Sequence, residues 1–290
     1  MNITLANHYG MCFGVRDALR ATHDAATDTP ITVLGELVHN RVVRDHLKTL
    51  GVVEGDLESA SKADTDTVVI TAHGASDAAR KTWADRGHQV VDTTCPLVRK
   101  AHKALAGLVL AGYAPVVIGS PDHVEVKGLV GDFPGTFILN EPSEVLQLPF
   151  SEKIGIVSQT TQPISRVRTM VELIEARHNS ADVRFVDTVC QPTKDRQRAL
   201  EELCAQNEIV VVVGGHNSNN TNQLAQKAES LGAQAHHVER PDDLDPKWFR
   251  GVDNVGVTAG TSTLDESVKA VVARLEQIAA SQRRLFSIGA

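Results

Sequence analysis

The chain has 290 residues, too many for one minimal domain, and a formal net charge of −7 that disfavours a nucleic-acid backbone as partner. Hydrophobic residues make up 42% and aromatic residues only 4%, so Val, Ala, Leu and Ile must fill the interior, which suits parallel strands covered by helices. The opening MNITLANHYGMCFGV lacks a basic stretch followed by an apolar one, and no apolar run approaches a bilayer span, so a cytoplasmic enzyme without membrane partner is expected.

In chain order, NITLANHYGMCFGVRDAL reads as strand, turn, cysteine and helix, with Cys12 at the turn. ITVLGELVHN and TVVITAHGAS are strands ending in polar turns that carry His39 and Asn40, then His73 and Gly74. HQVVDTTCP at 88–96 puts Cys95 at a strand end before a proline able to open a helix, and helical periodicity fills 97–113. PVVIGSPDHVEV brings His123 and Glu125, and IGIVSQTT brings Thr160 and Thr161, before a helical stretch at 165–178. VRFVDTVCQP at 183–192 is a near copy of the earlier cysteine segment and ends on Cys190. Cys204 lies mid-helix beside Leu200 and Leu203 and reads as core packing. IVVVVGGHNSNN carries Ser218, Asn219 and Asn220, NVGVTAGTS carries Ser262, and a helix is expected over 265–284.

Strands alternating with helices in this way predict an α/β fold of βαβ units. The repeated cysteine segment divides the chain into three α/β lobes, 13–95, 96–189 and 190–285 plus 1–12, each with a small, mainly parallel sheet. A trefoil with pseudo-threefold symmetry around a central cavity is the expectation.

Cys12, Cys95 and Cys190 fall at carboxyl ends of strands and at helix starts, where open α/β folds bind ligands and the helix dipole favours thiolate. One reading makes them three separately buried hydrophobes; the other gathers three thiolates on a metal. Zinc with an open position and a cubane iron–sulfur cluster with one free iron both suit three thiolates. In a reducing cytoplasm a disulfide framework does not, and widely separated cysteines without CxxC pairs point to a cluster clasped by lobes. The remaining strand-end turns are rich in His, Thr, Ser and Asn, groups able to bind a polyanion. Any single histidine among twelve is ordinarily a surface or satisfied core residue, but three at equivalent turns form a set. Glu125 alone reads equally well as a surface carboxylate at a helix start.

LGELVHN, TAHGAS, DTTCPLVRKAH, HVEVKGLVG, SQTTQ, DTVCQPTKDRQ, GGHNSNNTNQL and GVTAGTST, in this order, together with MCFGV, resemble the successive motifs of the 4-hydroxy-3-methylbut-2-enyl diphosphate reductase family, LytB. The match runs from residue 2 to about 275. The resemblance implies a 4Fe–4S cluster on Cys12, Cys95 and Cys190 with its fourth iron open to the substrate hydroxyl. It implies that His39, His73, His123, Ser218, Asn219, Asn220 and Ser262 surround the diphosphate, with Thr160 and Glu125 near the carbon end. Glu125 would supply protons, Thr160 would relay or orient them, and His123 would complete the catalytic set. The implied reaction is reductive dehydroxylation of the allylic diphosphate to isopentenyl and dimethylallyl diphosphate, the last step of the non-mevalonate route. No dinucleotide fingerprint is visible, so a ferredoxin or flavodoxin would deliver the electrons. Departures from common family patterns are Val124, where Pro is frequent, Asn219, where Ser or Gly is frequent, and CQPT in place of variants such as CNAT. The alternatives are a paralogue acting on a related allylic substrate and a cluster dehydratase similar to quinolinate synthase.

Overall fold

The computed structural model describes residues 1–27, 29–38, 41–59 and 63–288, with side chains throughout except at 41, 42, 219 and 283–288. The chain begins with β1 (Asn2–Leu5), α1 (Phe13–Ala25), β2 (Ile31–Leu34), α2 (Arg41–Thr49), β3 (Val52–Gly55), β4 (Thr67–Ile70), α3 (Asp77–Asp85) and β5 (Gln89–Asp92). It continues through α4 (Pro96–Leu110), β6 (Ala114–Ile118), α5 (Val124–Val130), β7 (Phe137–Leu139), β8 (Lys153–Ser158), α6 (Ile164–Arg177) and β9 (Asp182–Phe185). The last elements are α7 (Gln191–Gln206), β10 (Ile209–Val213), α8 (Asn219–Ser230), β11 (Gln234–Val238), β12 (Asn254–Ala259) and α9 (Asp265–Ile288).

Among the described residues the strands form three four-stranded sheets, ordered β3-β2-β4-β5, β7-β6-β8-β9 and β1-β12-β10-β11. Every pairing is parallel, as the strand–helix alternation predicts. Each sheet uses one winding: the first strand lies between the second and third, and the fourth follows the third. In the last sheet β1 takes the fourth place. This order puts a switch point between β2 and β4, between β6 and β8, and between β10 and β12, and ligands of such sheets bind beyond the carboxyl ends there. The polar turns picked out in the sequence leave β4, β6, β8, β10 and β12, while His39 and Asn40, expected after β2, lie outside the described residues.

The chain packs as two compact units, one of Met1–Val15, Val38–Arg44 and Asp195–Ala290, the other of Arg16–Leu37 and Asp45–Lys194. In the first, the period-two alternation of β10 sorts its valines between two cores. Val211 and Val213 meet Val268, Val271 and Leu275 of α9 on one face, and Val210 and Val212 meet Leu200, Leu203 and Leu224 on the other. In the second unit Ile154 and Ile156 pack on Val167, Met170 and Ile174 of α6, while Val157 packs on Leu105, Leu108 and Leu129. Trp83 of α3 closes the core of the β2–β4 sheet.

Helix α4 stops at Leu110, short of the 113 its periodicity predicts, because Gly112 turns left-handed at φ 82° and ends the helical path. Helix α9 runs past 284 to Ile288.

Within the second unit, two sheets are joined where α5 meets the turn after β4. A Cβ on Gly128 would stand 3.3 Å from the Ala75 backbone, and one on Gly131 would stand 2.7 Å from Ser76 Cβ, so two glycines allow the approach. Asp132 then accepts hydrogen bonds from the backbone N–H groups of Asp77 (2.7 Å) and Ala78 (3.0 Å), at the N-terminus of α3.

Candidate functional site

The second unit carries the groups beyond β4, β6 and β8. At the end of β4 the chain turns through Gly74 at φ 80°, with no room for a Cβ against Thr94 Cγ2 at 2.9 Å. That turn sets His73 beside the Cys95 segment, with its Nδ1 3.4 Å from Thr71 Oγ1. His73 meets His123 edge to face, ring centroids 5.5 Å apart. His123 is the N-cap of α5: its Nδ1 accepts the backbone N–H of Glu125 at 3.1 Å. A ring nitrogen that accepts carries no proton, so in the neutral ring the proton sits on Nε2.

Glu125 follows in the first turn of α5 and is 1% exposed. The surface-carboxylate reading of this residue is therefore set aside. Thr160, in the turn after β8, donates its backbone N–H to Oε1 at 2.6 Å and its hydroxyl to Oε2 at 3.0 Å. Burial pushes the Glu125 carboxyl up to about 7, against the two Thr160 hydrogen bonds that pull it down. It is a carboxyl poised to give up or hold a proton near neutrality. The Thr160 carbonyl in turn accepts the backbone N–H of Cys190 at 2.9 Å.

The two near-copy cysteine segments fold alike. Asp92 accepts the Thr94 backbone N–H (2.9 Å) and Asp187 that of Val189 (3.1 Å). Thr93 donates its hydroxyl to Ile70 O (2.5 Å) and Thr188 to Ser158 O (2.6 Å). Cys95 N–H reaches Ala72 O at 3.0 Å, two residues past β4, as Cys190 N–H reaches Thr160 O, two past β8. Each aspartate also pairs with the base seven residues on: Asp92 with Arg99 at 3.0 Å and Asp187 with Lys194 at 2.7 Å. Burial would raise the Asp92 carboxyl, but the Thr94 hydrogen bonds with Arg80 and Arg99 bring it below its usual value. Cys95 is the N-cap residue of α4 and Cys190 directly precedes α7.

The first unit carries the groups beyond β10 and β12. Ser218 caps α8, its hydroxyl accepting the Thr221 N–H at 3.3 Å. Asn220 Oδ1 accepts the Thr261 N–H at 3.0 Å, which ties α8 to the turn holding the buried Ser262. A Cβ on Gly260 would fall 2.0 Å from Thr221 Oγ1, so this turn closes on the helix only as glycine. Cys12 directly precedes α1, and the loop before it is held by Arg196, whose Nη2 donates to Gly10 O at 2.6 Å. His39 and the side chain of Asn219 lie outside the described residues.

All four cysteines are free of disulfides and partly exposed. Cys204 packs at the margin of the α7–α8 core, and burial pushes its thiol up. No group of three His, Cys, Asp or Glu side chains able to hold a single metal ion is found among the described residues. No helix among them is long and apolar enough to cross a membrane.

Sequence reading missed Gln159, fully buried, whose Oε1 accepts from Ser120 N–H (3.2 Å) and Gln162 Nε2 (3.1 Å), joining the turns after β6 and β8. It also missed Arg196 and Thr193, whose Oγ1 lies 3.0 Å from Cys190 Sγ. The shared spacing of Asp92 to Arg99 and Asp187 to Lys194 was the available signal for the paired carboxylates.

The LytB protein family matches residues 3–276. The 4-hydroxy-3-methylbut-2-enyl diphosphate reductase of Pelobacter propionicus is 36% identical over 282 residues, covering 96% of this chain and 99% of that protein. The enzyme of that name from Geobacter sp. (strain M21) is 37% identical over 281 residues, covering 96% and 98%. Among solved structures, the E-1-hydroxy-2-methyl-but-2-enyl-4-diphosphate reductase of Plasmodium falciparum superposes with a TM-score of 0.87 at 26% identity, over 93% of this chain and 86% of that one. A structure of (E)-4-hydroxy-3-methyl-but-2-enyl diphosphate reductase, the terminal enzyme of the non-mevalonate pathway, gives 0.70 at 31% identity over 96% and 100%. With the ordered motifs found along almost its whole length, this chain belongs to the LytB family and is an oxidoreductase.

Proposed function

We propose that the chain reduces (E)-4-hydroxy-3-methylbut-2-enyl diphosphate to isopentenyl and dimethylallyl diphosphate, two electrons and two protons replacing the allylic hydroxyl by hydrogen and releasing water. The observation that carries this reading is Glu125: a fully buried carboxyl with its pKa raised to about 7, gripped at both oxygens by Thr160.

The donor set fits a 4Fe–4S cluster. Cys12, Cys95 and Cys190 are partly exposed thiols outside any disulfide, each directly before a helix or capping one, where the N-terminal dipole favours thiolate. A cubane takes each thiolate on its own iron, so its ligands need not crowd as those of one ion do. When bound, such a cluster supplies electrons one at a time and Lewis acidity at an iron free of protein ligands.

The remaining work falls to the chain. His73, His123, Ser218, Asn220 and Ser262, with His39 and Asn219, would bind the diphosphate and so fix the distant carbon end, converting anion recognition into orientation. Glu125, half protonated near neutral pH, would give its proton to the reacting end of the substrate, and Thr160 would keep its carboxyl aimed. The three lobes would be 13–95, 96–189 and 190–285 with 1–12, with Cys12, Cys95 and Cys190 at the boundaries between them; a ferredoxin or flavodoxin would deliver the electrons, and the cytoplasm is the compartment this chemistry suits.

The test is anaerobic isolation, iron and sulfide analysis, and an assay with reduced viologen and the allylic diphosphate. The expected result is a brown protein that oxidises viologen only when the substrate is present. A chain carrying its full cluster that leaves this substrate unreduced overturns the proposal.

A further inference from the structure

The two cysteine segments share their aspartate turn, their threonine anchor, their backbone bond to the neighbouring strand-end turn and their carboxylate–base pair, so a difference three residues beyond each cysteine stands out. Three residues after Cys95 comes Val98, buried at 4% exposure, with no polar group to offer. Three residues after Cys190 comes Thr193, also buried at 3%, with its hydroxyl 3.0 Å from Sγ. A thiol and a hydroxyl can each donate to the other, but a thiolate bound to iron has no proton, so there the threonine alone can donate. A hydrogen bond to a ligand sulfur draws electron density from it, and such bonds are among the determinants of cluster potential.

We propose that Thr193 is a positioning residue that hydrogen-bonds the Cys190 thiolate, and that this bond, which Val98 cannot supply to Cys95, raises the reduction potential of the cluster. The inference rests on the cluster reading given under Proposed function and adds a role for Thr193, which acts through the Cys190 sulfur. Such a bond would make Cys190 a weaker sulfur donor to the iron it would hold than the same thiolate without it. Cys190 belongs to the segment whose backbone is bonded to Thr160, the residue that grips Glu125.

Three variants test it: Thr193→Val, which keeps the shape and removes the hydroxyl, Thr193→Ser, which keeps the hydroxyl, and Val98→Thr, which offers the other cysteine a donor. The readouts are iron and sulfide content, the midpoint potential from an electron-paramagnetic-resonance-monitored titration, and the iron–thiolate stretching bands in resonance Raman spectra, none of which requires turnover. Thr193→Val should hold its iron, shift the midpoint to more negative values and move an iron–thiolate band to higher frequency. Thr193→Ser should stay close to the parent, and Val98→Thr should shift the midpoint the other way. A Thr193→Val protein with full iron content and unchanged potential and bands overturns the inference and leaves the cluster reading standing. A parent chain that takes up no iron on anaerobic reconstitution overturns both.

Discussion

Thr160 holds Glu125 at both carboxylate oxygens, through its backbone N–H at 2.6 Å and its hydroxyl at 3.0 Å. The two residues are 35 positions apart and come from the turns after β6 and β8, neighbouring strands on either side of a switch point. A carboxyl without polar partners at this depth would be costly even when neutral; with two donors, it remains able to ionise near pH 7.

Replacing Glu125 by Gln should therefore lower turnover about 100- to 10,000-fold, the usual worth of a positioned proton donor, while iron content stays at the parent level. In the parent, turnover should fall as pH rises through about 7, where Glu125 loses its proton, and the variant's residual rate should lack that limb. Initial rates with reduced viologen from pH 5.5 to 9 check both points. A near-normal rate in the Gln protein removes Glu125 from the chemistry.

The same residue ties stability to pH. Its folded pKa of about 7 lies above the ordinary value of 4.5, so the fold favours the neutral form. The resulting stabilisation is full below about 4.5 and is lost as pH rises through about 7. Gln cannot ionise, so the iron-free Glu125→Gln chain should be more stable than the parent at pH 8, by on the order of 3 kcal/mol, with the gap closing near pH 4.5. Urea unfolding of the two iron-free proteins at pH 5 and pH 8 gives the comparison; a gap that does not change between them contradicts the assignment.

How deep Glu125 lies is not legible in HVEVKG. Its burial depends on Gly128 and Gly131 letting α5 approach Ala75 and Ser76, and on a turn arriving from 35 residues downstream. By contrast, VVDTTC and FVDTVC do announce their structure, because aspartate turns and threonine anchors are local bonds that a short segment largely fixes for itself. The central strands were legible for a related reason: KIGIVS and IVVVV are buried almost throughout and read as continuous apolar runs. Strands β3, β7 and β11 were not picked out. Each pairs with a neighbour on only one side, and VVEG and QAHHV expose enough of their length that no apolar run marks them.

Asp132 should prove structural. Its two oxygens take the Asp77 and Ala78 N–H groups that open α3, a capping contact supplied from another helix's far end rather than from the helix's own N-cap. Asp132→Ala should cost about 1 kcal/mol, as loss of a cap does, and Asp132→Asn, which retains one acceptor oxygen but no charge, should cost less. Denaturant midpoints rank the three proteins, and an Ala variant as stable as the parent would show that water serves these donors equally well.

The four cysteines should separate into two classes under substitution by serine. Cys12, Cys95 and Cys190 each stand immediately before a helix or at its cap, where the N-terminal dipole helps a sulfur carry negative charge. Cys204 lies inside α7 against the Leu200–Leu203 core, and burial pushes its thiol in the opposite direction, toward the protonated form. A hard hydroxyl replaces a soft thiolate poorly on iron. Cys12→Ser, Cys95→Ser and Cys190→Ser should therefore each lose most of the iron and visible absorption after anaerobic reconstitution, whereas Cys204→Ser should keep both and at most unfold slightly sooner in urea. Iron content measured alongside the unfolding midpoint keeps metal loss distinct from misfolding. Equal iron loss in Cys204→Ser and Cys95→Ser, at equal stability, would show that helix-start position does not select the ligands in this chain.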